Sequence, residues 1–308
     1  GTLLVVDRQI TLGQFVASEI VIILILNAVE KIIMYMDVVY DLLTAVDKVA
    51  HITDLPIEKV GGLDFPATLT QGFNVRTKNL KYKYSASGYY ALKGIDLEIK
   101  SGETICITGQ GNSGKTTLMN ILSGLYTDYE GVVTINNYSL RDLDLTHMRD
   151  QVAKNISQED LFDGTLLENI TLGRSTTTIQ DAIQAIDQVG LGDDVNSLPK
   201  GLDTPIISGG KGLTKTMIHK IILARCLAKK PRLLILNDFF VTLAKKDKLE
   251  LLRCVANTQK ACTVIIVSKD PIVMSACDQV VIMDNGLIRD VGTMEELTQK
   301  EIIKDMIL

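Results

Sequence analysis

The sequence is poor in the residues from which metal and redox sites are built. It has three His among 308 residues, His51, His147 and His219, too far apart in sequence to suggest a shared metal. Its five Cys (Cys106, Cys226, Cys254, Cys262 and Cys277) stand singly in apolar segments, and no CxxC pair occurs. That pattern reads as reduced core thiols in a cytosolic compartment and argues against a disulfide scaffold. There is no long basic run and the formal net charge is −5, so nucleic acid is excluded as an expected partner. Residue 1 is Gly, and no positively charged start leads into a short apolar core, so the N-terminus does not read as a signal peptide. The chain is expected to begin within a longer protein. Internal repeats and low-complexity tracts are missing as well.

Apolar residues are plentiful. They make up 46% of the chain, and the mean hydropathy is +0.20. Residues 10–50 contain no Pro and a single Gly, Gly13. Within them IVIILIL (20–26) is purely apolar but is flanked by Glu19, Asn27, Glu30, Lys31 and Asp37. That run falls short of the roughly 18 uncharged residues that mark a membrane span by themselves. At about 100° per residue, Glu19, Glu30, Asp37, Asp41 and Lys48 fall within roughly 40° of one another, which describes one long helix with a narrow polar seam. About 40 residues reach roughly 60 Å, twice the hydrocarbon thickness. Two readings stand: a transmembrane helix that continues into the cytosol, its seam facing other helices or a cavity, or a soluble bundle helix.

Pro56, Gly61, Gly62 and Pro66 then punctuate a linker. Beyond it, short β-rich runs such as ETICIT (103–108), RLLILN (232–237) and TVIIVS (263–268) alternate with helical ones, which predicts a parallel α/β sheet. Asn285-Gly286 stands between two apolar strands and predicts a two-residue hairpin.

GQGNSGKT (109–116) matches the phosphate-loop pattern G-x-x-x-x-G-K-[ST], and it follows a strand and precedes a helical run, KTTLMNILSGL. In that setting consecutive backbone N–H groups and a helix N-terminus converge on a phosphate. Gly109, Gln110, Gly111, Asn112, Ser113, Gly114, Lys115, Thr116 and Thr117 are the candidate nucleotide-binding residues. Gly114 lets the backbone approach, Lys115 reaches the β- and γ-phosphates, and Thr116 offers a hydroxyl to Mg²⁺. A soluble P-loop kinase or switch shares this loop, but the sequence shows no acceptor pocket or base for one.

From these residues onward the chain resembles the nucleotide-binding domain of an exporter-type ABC transporter, joined to the last helix of its membrane part. KYKYSASGYYALKGIDLEIKSGE (81–103) resembles the strand pair before the phosphate loop. ISQEDLFDGTLLENI (156–170) resembles the Q-loop segment, and LPKGLDTPI (198–206) the stretch ahead of the signature helix. The resemblance implies a P-loop α/β domain with an antiparallel β-subdomain and a helical subdomain around 140–230. It implies ATP and Mg²⁺ as cofactors, a second half-transporter and the lipid bilayer as partners, and a cell-membrane location with the nucleotide-binding domain in the cytoplasm. The expected organisation is the end of a transmembrane domain at 1–55, a linker at 56–72 and the nucleotide-binding domain at 73–308. By the same resemblance Tyr84 stacks on adenine, with Tyr82 as competitor, and Gln158 touches Mg²⁺ and the lytic water.

The match fails at several chemical positions. Counting back from LARCL (223–227), the signature falls on LTKTM (213–217), so ISGG (207–210) occupies the loop before it. Thr214 keeps a hydroxyl there, while Lys215 and Thr216 stand where the family has glycines. The strand LLILND (233–238) ends in Asn237 and Asp238 where the family has Asp and then the catalytic Glu. Lys269 takes the place of the switch His, Ala244 that of a loop Asp, and Asn112 that of a Gly. Asp238 is one methylene shorter than Glu, and a displacement near 1 Å costs about a hundredfold in rate. Asp to Asn, Gly to Lys and neutral His to Lys all add positive charge, roughly three units around the phosphates. Asp238, Gln158 and Lys269 are the candidate catalytic residues, and Thr116 and Gln158 the candidate metal ligands. The expectation is ATP binding with reduced Mg²⁺ dependence and slow hydrolysis, the alternative being a non-hydrolysing, nucleotide-gated regulatory subunit.

Overall fold

The computed structural model describes residues 1–55, 57–58, 61–66, 70–84, 88–155, 161–258 and 261–300. The chain divides into two compact units, Gly1–Lys59 and Val60–Leu308. The first is dominated by one helix, Leu12–Thr53, of 42 residues. Its start is set by a capping box in which the Thr11 hydroxyl accepts from the Gln14 N–H and the Gln14 side chain accepts from the Thr11 N–H. No residue of the helix is buried, and its best 18-residue window has a mean hydropathy of 2.0. It is long and apolar enough to cross a membrane.

The second unit is built on a six-stranded sheet. Its strands, named in chain order with those of a smaller sheet, are β1 (Val75–Lys83), β2 (Tyr90–Ile99), β3 (Thr104–Thr108), β4 (Glu130–Ile135), β5 (Tyr138–Ser139), β6 (Val152–Lys154), β7 (Gly164–Thr165), β8 (Pro205–Ile206), β9 (Leu233–Asn237), β10 (Thr263–Val267), β11 (Gln279–Asp284) and β12 (Leu287–Gly292). The main sheet runs β12-β11-β3-β10-β9-β6, parallel except for the edge strand β12. β3 and β10 are buried along their whole length, which is why they read as continuous apolar runs. Their side chains still alternate. Cys106, Val264, Ile266, Leu234 and Leu236 join one core, shared with the helices. Ile105, Ile107, Ile265, Leu233 and Ile235 join the other, shared with the smaller sheet.

That smaller sheet is antiparallel, in the order β2-β1-β4-β5. It covers the main sheet at the front of the phosphate loop. The helical layer comprises Leu145–Asp150, Leu166–Thr171, Ile179–Gln188, Gly192–Ser197 and Lys215–Ala228, within the expected 140–230. Capping boxes start two of these helices, Thr165 with Glu168 and Thr178 with Asp181. The Asn285-Gly286 hairpin is present: both residues have positive φ, 49° and 81°, as a type I′ turn requires.

The segment 61–66, near the start of the second unit, is held against the rest of it. Leu63 pairs with Leu143, and Phe65 packs on Phe73 with ring centroids 4.8 Å apart. The Asp64 carboxylate accepts from His147 Nδ1 at 2.6 Å.

Candidate functional site

The carboxyl ends of β3, β10 and β9 point the same way, and each runs into a stretch singled out by its residues. Such ends are where open parallel sheets take ligands. β3 leads into 109–114 and then the helix Lys115–Leu122. Two glycines in this loop are dictated by space. Gly109 has φ 149°, and a Cβ there would stand 2.1 Å from the Met283 carbonyl oxygen. Gly114 has φ 95°, and its Cβ would stand 2.6 Å from the Ala91 carbonyl oxygen. Gly111 is under no such constraint, since a Cβ there meets nothing within 4 Å. Asn112 takes φ 61°, a left-handed conformation that Asn tolerates better than most residues.

Lys115 closes the loop. Its Nζ donates to the carbonyls of Gly109 (2.9 Å) and Gln110 (2.7 Å) and to Ser113 Oγ (2.9 Å). Ser113 Oγ in turn donates to the Gln110 carbonyl, and the Gly286 N–H of the β11–β12 hairpin donates to the Ser113 carbonyl. The lysine is therefore drawn back across the loop that leads into the helix, the kind of place where a phosphate binds. Burial pushes its pKa down, the Lys269 ammonium pushes the same way, and the Asp238 carboxylate opposes them.

A cleft of about 560 Å³ opens from the loop. Asn112, Ser113, Gly114, Lys115, Thr116 and Thr117 form one wall, and Tyr84, Tyr89 and Ala91 the other. Tyr84 is fixed by its hydroxyl, 2.9 Å from Thr117 Oγ1. Tyr82 instead stacks on Tyr126, with centroids 5.1 Å apart and planes 10° apart, and does not line the cleft. Tyr89 was not among the sequence candidates. Its only signal was its place in GYYAL (88–92), just ahead of β2.

The tips of β9 and β10 lie beside Lys115. Val267 pairs with Asn237 on one side and with Ile107 on the other. The Asp238 N–H donates to the Val267 carbonyl (3.0 Å) and the Ser268 N–H to the Ile107 carbonyl (3.2 Å). Asn237 is clamped by Asn155 of the neighbouring strand's end: its N–H donates to Asn155 Oδ1 (2.6 Å), and Asn155 Nδ2 donates to the Asn237 carbonyl (3.0 Å). The clamp fixes the backbone and leaves Asn237 Oδ1 buried with no hydrogen-bond partner among the described residues. Asp238 follows with φ 48°. Lys269 is exposed, and the next residue, Asp270, caps the helix Pro271–Ser275 and is held by Lys248.

Other candidates lie elsewhere. Thr214 is the N-cap of the helix Lys215–Ala228, its hydroxyl accepting from the Met217 N–H at 3.2 Å. Thr214 and Lys215 are exposed at that helix start and do not line the cleft. The residues 207–210 form a tight turn four residues earlier, with Gly209 and Gly210 at positive φ. Ala244 is the N-cap of Lys245–Ala256 and offers no side-chain bond. Gln158 lies outside the described residues.

The Mg²⁺ implied by the resemblance is a hard cation that asks for carboxylate and water oxygens. Here the strand tip offers a neutral amide oxygen at Asn237, one carboxylate at Asp238 and the Thr116 hydroxyl, with two ammonium groups alongside. Among the described residues no group of three or more His, Cys, Asp or Glu could hold a metal. The donors among the described residues do not fit a tightly held divalent ion.

Residues 92–240 match the family model described as ABC transporter. The chain is 27% identical over 301 residues to the alpha-hemolysin translocation ATP-binding protein HlyB of Escherichia coli O157:H7, covering 98% of this chain and 42% of that protein. It is 27% identical over 292 residues to an ATP-dependent lipid A-core flippase of Francisella tularensis subsp. holarctica, covering 94% of this chain and 47% of the flippase. The chain thus spans less than half the length of these relatives. A solved bacterial Atm1-family ABC exporter with ATP bound has the same fold, with a TM-score of 0.76 and 22% identity over 86% of this chain and 46% of that one. Phosphate loop, paired sheets and relatives converge on one conclusion: residues 92–240 form an ABC transporter ATP-binding domain, similar to those of exporters.

Proposed function

We propose that this chain is the ATP-binding part of an exporter half-transporter, coupling ATP binding to movement of a cargo across a membrane. An ABC domain implies ATP binding, typically with Mg²⁺. The observation that carries the reading is the Lys115 ammonium drawn across the loop onto Gly109, Gln110 and Ser113, just ahead of the helix that Lys115 begins. Tyr84 and Tyr89 give the base an aromatic wall at the far end of the same cleft.

The helix Leu12–Thr53 serves as the membrane connection, placing residues 1–55 in the bilayer and at its cytoplasmic face, with 73–308 in the cytoplasm. Thr214 and Lys215 stand exposed at a helix start, available to a second half-transporter that completes the site. Hydrolysis is slow, because Asp238 is short for a water-polarising role and Asn237 carries no charge. Mg²⁺ dependence is reduced for the same reason.

The test is turnover by the full-length protein in lipid. Slow, sustained phosphate release abolished by Lys115→Ala is the expected result. Release unaffected by Lys115→Ala would refute the assignment of the phosphate loop.

A further inference from the structure

The strand tips beside Lys115 bring a second ammonium, that of Lys269, to the phosphate loop. Lys115 Nζ bonds to the carbonyl of Gly109, two residues beyond Ile107. Lys269 stands two residues beyond Val267, and Val267 is the register partner of Ile107. The Lys115 ammonium is thus tied to the backbone beyond one strand, and Lys269 follows the adjacent strand at the same level. Asn237, in register with Val267 on the other side, adds a buried and unpartnered amide oxygen rather than a charge. Among the described residues, the charges acting on Lys115 are the Lys269 ammonium and the Asp238 carboxylate.

A nucleoside triphosphate brings about four negative charges, and a divalent ion ordinarily offsets about two of them. We infer that Lys269 and Lys115 together take the triphosphate in its metal-free form, Lys269 supplying counter-charge in place of the cation. A divalent ion bound to the phosphates would lie against two ammoniums and a neutral amide. Like charge repels it there, and the carboxylates that would hold its water shell are reduced to Asp238. Asn237 Oδ1 can only accept a hydrogen bond, so it suits a water or an ammonium as its donor.

This rests on the ATP-binding reading, and its test separates the two. ATP affinity of the full-length protein in lipid is measured by calorimetry, once with excess Mg²⁺ and once with EDTA. The inference predicts equal or tighter binding in EDTA. It also predicts that Lys269→Met weakens binding in EDTA by about tenfold or more while changing it less in Mg²⁺. Asn237→Asp, which returns a carboxylate to the strand tip, shifts preference toward the Mg²⁺ form. Wild-type affinity that falls about tenfold or more on adding EDTA, with Lys269→Met behaving as wild type, would overturn the inference and leave ATP binding standing. No heat of binding in either buffer would overturn both.

Discussion

The phosphate loop and the strand tips facing it grow from the same parallel sheet, yet they obey different constraints. In the loop, geometry fixes the residues. Gly109 and Gly114 have no room for a Cβ, and Lys115 satisfies three acceptors at once. At the tips the backbone is equally well held, by the Asn155–Asn237 clamp and the Asp238 and Ser268 ladder bonds, but the side chains are chemically unusual. A neutral amide, a short acid in a left-handed conformation and a lysine stand together. Scaffold and chemistry are thus separable. The fold retains a place to bind triphosphate, while the strand tips set Asn237, Asp238 and Lys269 beside it.

That contrast can be broken most forcefully in the loop. Lys115→Ala removes the ammonium that faces the phosphates, and nucleotide affinity is expected to fall about a hundredfold; a small change in titration calorimetry would contradict the loop's role. At the tips, the double substitution Asn237→Asp with Asp238→Glu is expected to raise ATP turnover about tenfold, because it restores charge and reach. Unchanged turnover would show that the tips do not limit the rate. Within the loop, Gly114→Ala should destabilise the domain by about 1–3 kcal/mol through its positive φ and the Ala91 carbonyl. Gly111→Ala should stay within about 0.5 kcal/mol, since open space surrounds it. Equal losses in chemical denaturation would remove the distinction.

A smaller gain is expected from Ala244→Asp. Ala244 sits at an N-cap in extended backbone, ahead of Lys245 and Lys246, with no side-chain bond to the first turn. An acid there should add about 1 kcal/mol of stability, read as a raised Tm; no change would argue against the cap geometry. The smallest effect is pH-dependent. The hydrogen bond and charge of Asp64, with Asp144 nearby, raise the His147 pKa above its ordinary value. The protonated form is therefore favoured in the folded state. Its contribution is complete below the ordinary histidine pKa and is lost as pH rises through the raised one. Amide exchange in 61–66 should accelerate between about pH 6 and pH 8 beyond its intrinsic rate. Flat protection factors would show that the pair does not hold the segment.

The sequence disclosed what is local. The phosphate loop, its flanking strand and helix, and the Asn285-Gly286 turn each depend on residues within a few positions, and each appears where expected. The apolar strands were legible as strands but not as faces, because both sides of β3 and β10 are buried and no polar alternation marks which core a side chain joins. The clamp on Asn237 comes from Asn155, 82 positions away at the end of a three-residue strand, and nothing in either neighbourhood announces it. Tyr89 faces the cleft because β2 folds back beside the loop, a tertiary placement that pattern alone does not give. ISGG illustrates the opposite hazard. Its residues suggest a phosphate contact, but the helix begins later, at Thr214, whose hydroxyl satisfies the cap.

The central claim, that triphosphate is held while its cleavage is slow, is tested most directly by measuring ATP occupancy and phosphate release together on the full-length protein in lipid. Near-complete occupancy with release well below one event per second, about tenfold or more under the enzyme median of roughly 10 per second, is the expected result. Release at or above that median with occupancy to match would contradict it.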